Sequence, residues 1–244
     1  MRVMTFNIQH ALDHKNQVID TSFFARKIKE YGAEICGLNE VRGEGPLEGY
    51  TDQTNSVADI LGFYRYFGEA IKVKGTSPYG NALIAGKPFK SVETVRIPDP
   101  VITGEINRDG EPVHYESRVI IKAIFEVENK DICVLVTHMG LALSERINAV
   151  KTLCNIIDET DIPIIVMGDF NSTPDEEILK PLYERLSDTD SASFIHGKPT
   201  FASYKPEIKI DYILYRGLKC IYAETVEEII SDHYPVIADF EFQE

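Results

Sequence analysis

The chain of 244 residues is 43% hydrophobic and 26% charged, which is an ordinary composition for a globular protein of one large or two small domains. Its 39 acidic and 25 basic residues give a net charge of −14, which counts against a nucleic acid substrate without excluding it, because proteins that grip phosphates usually present a basic face. No apolar run is long enough to span a bilayer, and the first residues show no signal-peptide pattern.

The cysteine pattern predicts the redox environment of the protein. The four cysteines lie singly among apolar neighbours and form no CxxC pair: Cys36, Cys133, Cys154 and Cys220. Such positions are typical of reduced thiols in a protein core. We therefore expect a cytoplasmic protein.

The first third of the chain is predicted to alternate strands and helices. Residues 2–8 are rich in β-formers and form a strand that ends at Asn7. Asp20 or Thr21 caps a helix that runs to residue 31, and Gly32 ends it. Shorter elements follow, namely strands at residues 34–38, 63–67 and 81–85, a helix at residues 56–61 and a loop at residues 74–80.

A long loop and a hairpin come next. Residues 97–115 are polar and contain three prolines and two glycines, and a loop of this length is usually functional. Residues 118–127 and 131–137 form two predicted strands joined by a turn, and the second strand ends at His138. Ser144 caps a predicted helix to about Asp158, and the last strands are at residues 209–215, 219–226 and 235–242.

The most informative stretch is residues 162–174, IPIIVMGDFNSTP. Its first half is a continuous apolar run, typical of a strand buried on both faces. Gly168 ends the run, and the two-residue spacing of Asp169 and Asn171 places both side chains on one side of the strand end. Residues 173–176 match a capping box with proline at the first helical position, so we expect a helix there that Pro181 interrupts.

Chemically capable side chains recur at the predicted strand ends, where α/β folds collect active-site groups. They are Asn7, Glu40, His138, Asp169, Asn171, Asp211, Asp232 and His233. Taken singly, most have a structural explanation, such as a turn or a solvated strand end. Asp211 is the hardest to explain in that way, because a carboxylate within an apolar strand is costly unless it is paired.

Taken together, the acidic and amide side chains would suit phosphoryl chemistry. A hard divalent cation prefers carboxylate oxygens, which Glu40 and Asp232 offer. Phosphoester hydrolysis also needs an oriented water molecule, and Asp169 and Asn171 can orient one.

The basic side chains complete this set. His138, His233 and Arg118 can hold the phosphate and relieve its negative charge. Asp211 can fix the tautomer of His233, which would give an Asp–His pair.

Seven motifs in order resemble the endonuclease/exonuclease/phosphatase superfamily, also called the deoxyribonuclease I-like fold. They are residues 5–8 (TFNI), 39–41 (NEV), 80–84 (GNALI), 137–140 (THMG), 168–174 (GDFNSTP), 210–213 (IDYI) and 231–235 (SDHYP). The resemblance covers nearly the whole chain, from residue 2 to residue 242. It implies a single domain over residues 1–244 with an α+β fold, a four-layer αββα sandwich of two mixed β-sheets flanked by helices. The hairpins agree, because they exclude a purely parallel sheet.

The resemblance also implies roles for individual residues. Glu40 matches the residue that binds Mg²⁺ or Mn²⁺, and Asn7 and Asp232 match residues close to the metal. Asp169 and Asn171 match the residues that position or activate water and contact the phosphate.

For the proton chemistry, the resemblance leaves two candidates open. His233, oriented by Asp211, matches the acid/base or transition-state stabiliser, and the general base is either His233 or Asp169. The histidine at position 138 is that of the deoxyribonuclease I and sphingomyelinase branches, whereas abasic-site nucleases usually carry tyrosine there.

Three further residues are candidates for substrate binding. Arg118 lies where family members have an arginine that faces the phosphate, and Asn81 and Tyr79 lie near a motif of the family. Asn39 stands where many relatives have glutamine, a departure that does not touch the expected chemistry.

We therefore expect a monomeric Mg²⁺- or Mn²⁺-dependent phosphodiesterase or phosphatase that acts on a small-molecule, sugar-phosphate or lipid-headgroup substrate. Two alternatives stay open. The first is a metal-dependent nuclease with a basic cleft formed by Lys72, Lys74, Lys87 and Lys90. The second is a non-catalytic binding module. The loops at residues 74–80 and 97–115 are the expected specificity determinants, and they carry no motif that names the substrate.

Overall fold

The computed structural model describes residues 1–101, 104–106, 110–112, 114–191 and 197–243. Four α-helices are present in these ranges: α1 (Thr21–Glu30), α2 (Gln53–Leu61), α3 (Leu143–Asp158) and α4 (Lys180–Tyr183). None of them is long and apolar enough to cross a membrane. The strands are β1 (Arg2–Asn7), β2 (Leu12–Asp13), β3 (Val18–Ile19), β4 (Ile35–Arg42), β5 (Tyr64–Val73), β6 (Ser77–Ala85), β7 (Phe89–Arg96), β8 (Val119–Val127), β9 (Lys130–His138), β10 (Ile164–Asp169), β11 (Ser187–Asp188), β12 (Asp211–Arg216), β13 (Leu218–Thr225) and β14 (Val236–Phe242).

Two six-stranded sheets form the centre of the protein. The first sheet has the order β13-β14-β1-β4-β6-β5 and the second has the order β11-β12-β10-β9-β8-β7. Each sheet is mixed, because β1 runs parallel to β4 and β9 runs parallel to β10, whereas the other pairs are antiparallel. The fold is therefore an α+β sandwich, and the fold prediction is confirmed.

Three apolar clusters correspond to the three interfaces of a four-layer sandwich. The cluster between the sheets includes Val3 and Ile35 from the first sheet and Val136 and Met167 from the second. A second cluster joins α3 and α4 to the outer face of the second sheet, and a third joins α1 and α2 to the outer face of the first. Burial of these faces removes apolar surface from water and is the main force that holds the layers together.

Most predicted strands and helices are present with small shifts of their ends. Asp20 caps α1 by accepting a hydrogen bond from the backbone N–H of Phe23 at 2.9 Å. The hairpin β8–β9 turns at Glu128 and Asn129, both with positive φ, as in a two-residue turn whose twist matches the flanking strands. Strand β10 is buried on both faces, as its apolar run predicts.

Strand β4 differs from the prediction in a way that matters for function. It continues past residue 38 to Arg42, and its pairing with β6 shifts between Leu38 and Val41. Asn39 and Glu40 together oppose the single residue Asn81, and Glu40 has a φ of 60°. This β-bulge was not predicted. A bulge adds one residue to one strand of a pair, and the sequence of that strand does not reveal how it pairs with its neighbour.

One predicted loop and one predicted helix need correction. Only residues 74–76 form the turn between β5 and β6, since β6 begins at Ser77, so the loop predicted for residues 74–80 is mostly strand. No helix begins at the predicted capping box: the backbone N–H of Thr173 does bond the Glu176 carboxylate at 2.9 Å, but residues 173–176 form a turn. Pro181 lies in the first turn of α4, where proline needs no N–H partner.

Two further differences concern the middle of the chain. Strand β7 was not predicted. It lies at the edge of its sheet and none of its residues is buried, so its sequence lacks the apolar run of a buried strand. Ser144 is not the cap of α3, which begins at Leu143; the carboxylate of Glu145 instead accepts from the N–H of Ala142 at 3.0 Å.

The long loop predicted at residues 97–115 is only partly described. Residues 102, 103, 107–109 and 113 lie outside the described ranges. The described part is anchored to the first turn of α3, because Glu105 accepts hydrogen bonds from the Tyr115 hydroxyl at 3.0 Å and from the Ser144 N–H at 3.2 Å.

Gly168 is one of the glycines at which the fold leaves no room for a side chain. Its φ is +148°, and a Cβ there would lie 1.8 Å from the carbonyl oxygen of Thr137 on β9. We expect Gly168→Ala to lower the free energy of unfolding by about 3 kcal/mol or more, because β10 would have to separate from β9. The matched control is Gly62→Ala, also at positive φ but with nothing within 4 Å of the added Cβ, with an expected cost of about 1 kcal/mol. Urea denaturation measures both, and equal losses would contradict the prediction.

Candidate active site

A cavity of about 750 Å³ opens at one edge of the sandwich, between the ends of strands from both sheets. Eight of the eleven predicted site residues line it: Glu40, Tyr79, Arg118, His138, Asp169, Asn171, Asp232 and His233. The other three, Asn7, Asp211 and Asn81, are buried and do not belong to its lining.

The alternation of the strands explains why polar groups meet here. Asn7, His138, Asp169 and Asp211 end or begin their strands on the face whose earlier residues form the apolar cluster between the sheets. The inter-sheet layer thus changes from apolar to polar at the edge of the sandwich. Glu40 follows Cys36 and Leu38, which face outward, so plain alternation would point it away; the bulge brings it to the cavity.

The amide of Asn7 connects the two sheets at the cavity wall. Its Nδ2 donates to Glu40 Oε1 at 3.0 Å in the first sheet and to Asp169 Oδ2 at 3.1 Å in the second. The nitrogen of this amide, not its oxygen, faces the carboxylates, since Oδ1 accepts from the backbone N–H of Gln9 at 3.1 Å. In this orientation Asn7 positions the two carboxylates, and its place close to a bound metal stays a prediction.

Asn39 forms a second connection between the sheets. Its Oδ1 accepts from the backbone N–H of Asp169 at 3.0 Å, and its Nδ2 donates at 2.9 Å both to the carbonyl of Thr137 and to Asn81 Oδ1. Asn81 in turn donates to the carbonyl of Val119 at 3.2 Å. The structure therefore places Asn81 in the inter-sheet network and does not bring it to the cavity, where it was predicted to bind substrate.

Two carboxylates on the cavity wall have no cationic partner. Among the described residues, no lysine, arginine or histidine nitrogen lies within 4.0 Å of Glu40 or Asp232. Glu40 accepts from the Tyr79 hydroxyl at 2.9 Å, and Asp232 accepts from Gln9 Nε2 at 2.9 Å. The other amide atom, Gln9 Oε1, is buried and has no hydrogen-bond partner in the described part of the chain. Hard oxygens of this kind fit Mg²⁺ or Mn²⁺.

A second group of ligand-type atoms comes from Asp169, Asp211 and His233, which offer atoms within 4.8 Å of one another. All three side chains are buried. His233 Nδ1 lies 2.8 Å from Asp211 Oδ2, and His233 Nε2 lies 3.7 Å from Asp169 Oδ2. Because Asp211 already engages Nδ1, this group is better suited to holding a proton than to holding a metal ion.

Charges around this group shift two pKa values in the same direction. Burial alone would lower the pKa of His233, but the charges of Asp211 and Asp169 and the hydrogen bond to Asp211 outweigh it and raise the pKa to about 10. Burial is the largest cause that raises the pKa of Asp169 to about 7, while the charge of His233 opposes it. The cluster therefore retains a proton on His233 at neutral pH in the metal-free protein.

His138 has the opposite protonation state. Burial, followed by the charges of Arg118 and His233, lowers its pKa well below the ordinary value, so the ring is neutral. Arg118 Nη1 lies 3.2 Å from His138 Nδ1 and Asn171 Nδ2 lies 3.3 Å from His138 Nε2, so a hydrogen-bond donor faces each ring nitrogen. Nε2 lies 3.5 Å from Asp169 Oδ2, on the cavity side.

Six polar residues of the wall were not predicted: Gln9, His10, Arg42, Tyr50, Glu116 and Arg146. Arg42 had a usable signal, since it lies two residues after Glu40 and two-residue spacing keeps side chains on one side of a strand. Arg146 lies in the first turns of α3 and donates to the backbone carbonyl of Asn171 at 2.6 Å, a tertiary contact that no local pattern announces.

The basic cleft expected for a nuclease is not built from the predicted lysines. None of Lys72, Lys74, Lys87 and Lys90 belongs to the cavity lining, and the cations there are arginines and histidines. Lys90 pairs instead with Asp131 at 2.7 Å.

Both the sequence and the fold of this chain are similar to those of known proteins. A model of the Endonuclease/Exonuclease/phosphatase family matches residues 4–233. An endonuclease/exonuclease/phosphatase from Beutenbergia cavernae DSM 12333 is 23% identical with a TM-score of 0.77, over 99% of this chain and 71% of that one. A functionally unknown conserved protein from Enterococcus faecalis V583 is 18% identical with a TM-score of 0.79, over 100% of both chains.

A third solved structure is a mannosyl-6-phosphatase from Bacteroides thetaiotaomicron VPI-5482, 13% identical with a TM-score of 0.75, over 99% of this chain and 100% of that one. At such identities the likeness shows the fold alone. A search of curated protein sequences found no match.

The raised pKa of His233 makes stability depend on pH. In metal-free protein, the free energy of unfolding should fall as pH rises from about 7 to 10, by at most about 1.4 kcal/mol per pH unit, because folded His233 keeps a proton that the unfolded chain releases near 6.5. Asp211→Asn removes the main cause of the raised pKa and should flatten this decline. Denaturation at several pH values in EDTA measures it.

The control for this experiment is Asp239→Asn, which removes the partner of Arg2 far from the cavity. It should shift the stability by a similar amount at every pH in this window. A decline of the same slope in wild type and Asp211→Asn would contradict the assignment.

Proposed function

Because the chain belongs to the endonuclease/exonuclease/phosphatase family, whose members include phosphatases and nucleases, we propose that it is a divalent-metal-dependent phosphoester hydrolase for a small-molecule, sugar-phosphate or lipid-headgroup substrate. The observation that carries the proposal is the meeting of two kinds of group on one cavity wall. One kind is the carboxylates of Glu40 and Asp232, which have no cationic partner among the described residues, and the other is the buried cluster of Asp169, Asp211 and His233.

The metal side of the proposal rests on Glu40 and Asp232, with Gln9 Oε1 as a further oxygen. Bound there, Mg²⁺ or Mn²⁺ would supply charge relief for the phosphoryl oxygens and the leaving oxygen. Asn7 and Tyr79 each donate a hydrogen bond to Glu40 and so hold its carboxylate in one orientation. Removing either donor should loosen the site without removing a ligand.

The second side of the wall orients water and phosphate. Asp169 accepts from the backbone N–H of Asn171 at 2.9 Å, which leaves its carboxylate at the cavity to orient and deprotonate the attacking water. His233, held by Asp211, keeps its Nε2 toward Asp169 and stabilises charge that develops on the phosphoryl group. The base is thus Asp169 in this proposal.

The remaining polar groups bind the phosphate. His138 lines the cavity, and Arg118 and Asn171 fix its ring through their contacts with Nδ1 and Nε2. The Arg118 guanidinium also pairs with Glu116 at 3.0 Å, which limits the positions it can adopt. We assign Asn171 to the same group because it lines the cavity beside His138.

A small substrate is favoured over a nucleic acid. The chain carries a net charge of −14, and the wall has no lysine. The similar fold of a mannosyl-6-phosphatase supports a sugar phosphate as one candidate class. The proposal places the protein in the cytoplasm, because all four cysteines are free thiols, and as a monomer, because one chain supplies the whole described cavity.

The central test is metal-dependent hydrolysis by wild type and His233→Ala. We expect turnover of at least one of p-nitrophenyl phosphate, bis-p-nitrophenyl phosphate, glucose 6-phosphate, an inositol phosphate or a sphingomyelin analogue with Mg²⁺ or Mn²⁺. His233→Ala should lower kcat by about 10²- to 10⁴-fold, because the buried Asp–His pair is lost. His14→Ala, outside the cavity, serves as the control.

Two outcomes would overturn this reading. Cleavage of plasmid DNA in preference to every small ester, with steep loss in salt, would favour the nuclease. No cleavage of any substrate with either metal would favour the binding module.

Metal affinity tests the carboxylate assignment directly. Calorimetric titration of Mn²⁺ into Glu40→Gln should show binding weakened by about 10- to 100-fold, because a ligand charge is removed while the side-chain shape is kept. Glu44→Gln, an exposed position just beyond β4, should bind as wild type does. Equal affinity of Glu40→Gln and wild type would refute Glu40 as a ligand.

A further inference from the structure

Arg42 is a cation on the cavity wall that the proposed chemistry does not use. It lies two residues after Glu40 on β4, so its Cα is roughly 6 Å from that of Glu40. Its guanidinium lies over the ring of Tyr50, 4.8 Å from the ring centroid, and Tyr50 also lines the cavity. Stacking of this kind holds a guanidinium flat while its N–H groups point outward.

Arg42 differs from the other cavity arginines in its lack of an acidic partner. Arg118 pairs with Glu116 at 3.0 Å, and Arg146 pairs with Glu176 at 3.4 Å. No carboxylate of the described residues lies within 4.0 Å of Arg42, although the chain carries 39 acidic residues. Among the described residues, the Arg42 Nε is buried without a hydrogen-bond partner. The one hydrogen bond of the guanidinium there, from Nη1 to the carbonyl of Gly49, is long at 3.3 Å.

The surrounding structure holds Arg42 in this place. The buried amide of Gln53 accepts from the Arg42 backbone N–H at 2.9 Å and donates to the carbonyl of His10 at 2.6 Å. It thereby fixes two neighbouring parts of the cavity wall to each other. Gly49 lets the guanidinium approach, because a Cβ at that position would lie 2.8 Å from Nη1. This arginine is held in place by a buried amide and a glycine but contacts no carboxylate of the described residues. It is therefore preorganised to bind an anion.

We propose that Arg42, stacked on Tyr50, binds a second anionic group of the substrate, a phosphate or a carboxylate, beside the phosphoester that is hydrolysed. This inference rests on the proposed function, since it takes the scissile phosphate to lie between Glu40 and His138. The planar guanidinium matches both kinds of anion with paired hydrogen bonds. The short spacing of Glu40 and Arg42 on one strand fits a small molecule that carries both anionic groups.

Three six-carbon phosphates that share a phosphate at C6 test the inference: two are pyranoses that differ only at C1, and the third is an open chain with a carboxylate at C1. Glucose 6-phosphate has no second anion, 6-phosphogluconate has a carboxylate, and glucose 1,6-bisphosphate has a phosphate. For each compound, kcat and KM are measured with Mg²⁺ on wild type, Arg42→Gln and Arg42→Lys. The control is Arg65→Gln, since Arg65 pairs with Asp59 at 2.8 Å and does not belong to the cavity lining.

Wild type should prefer at least one of the two compounds that carry a second anionic group to glucose 6-phosphate in kcat/KM. Arg42→Gln should reduce that preference by about 10- to 100-fold, mainly through KM, because a charge-assisted hydrogen-bond pair is lost from binding. Arg42→Lys keeps the positive charge but lacks the paired N–H donors of the planar guanidinium, so it should recover part of the preference. The better of the two compounds identifies the second anion as phosphate or carboxylate.

Binding to the His233→Ala variant, measured by calorimetry with the same three compounds, gives a readout that does not depend on turnover. Arg42→Gln in that background should weaken binding of the preferred compound with two anionic groups to the level of glucose 6-phosphate. If wild type hydrolyses esters but Arg42→Gln leaves the preference and the binding unchanged, this inference is wrong and the proposed function stands. If wild type hydrolyses nothing and binds none of the three, the proposed function has failed and this inference fails with it.

Discussion

The side-chain amides of Asn7 and Asn39 join the two sheets at the edge where the cavity opens, and the rest of the site depends on this connection. Each amide contacts Asp169, through its carboxylate or its backbone N–H, while itself belonging to the first sheet. Buried amides must find partners, because an unpaired polar group in the interior is costly. Satisfying them fixes the sheets relative to each other, and with them the spacing of Glu40 and Asp169.

The electrostatics of the wall follow from that arrangement. The first sheet contributes Glu40 without a cationic partner, whereas the second contributes Asp169 and Asp211 around a buried His233. Negative charge therefore accumulates on one side, and a proton is retained on the other. Such a site is unfavourable by itself and becomes favourable when a cation and a phosphate enter, which is the physical basis of the proposed hydrolase.

The sequence patterns predicted the site residues with differing success, for physical reasons. Groups at the ends of strands that alternate regularly, such as His138 and Asp169, could be located because period-two alternation fixes their face. Asn81 could not be located in this way, since a buried amide facing another strand has the same local pattern as one facing a ligand. Arg42 was overlooked although its spacing from Glu40 was a usable signal, and the Tyr50 ring that supports it comes from a loop that local patterns do not reveal.

By itself, the sequence determined the α+β class, most strand and helix positions, the family, and the set of acidic, amide and histidine residues available for chemistry. Those properties depend on periodicity, turn residues and motif order, all of which are local or are read along the chain. Only the tertiary structure decided that Asn7 turns its nitrogen to Glu40, that His233 lies between Asp211 and Asp169, and which arginine lacks an acid. These are contacts between residues far apart in sequence, and they are set by how two sheets pack, which no single segment encodes.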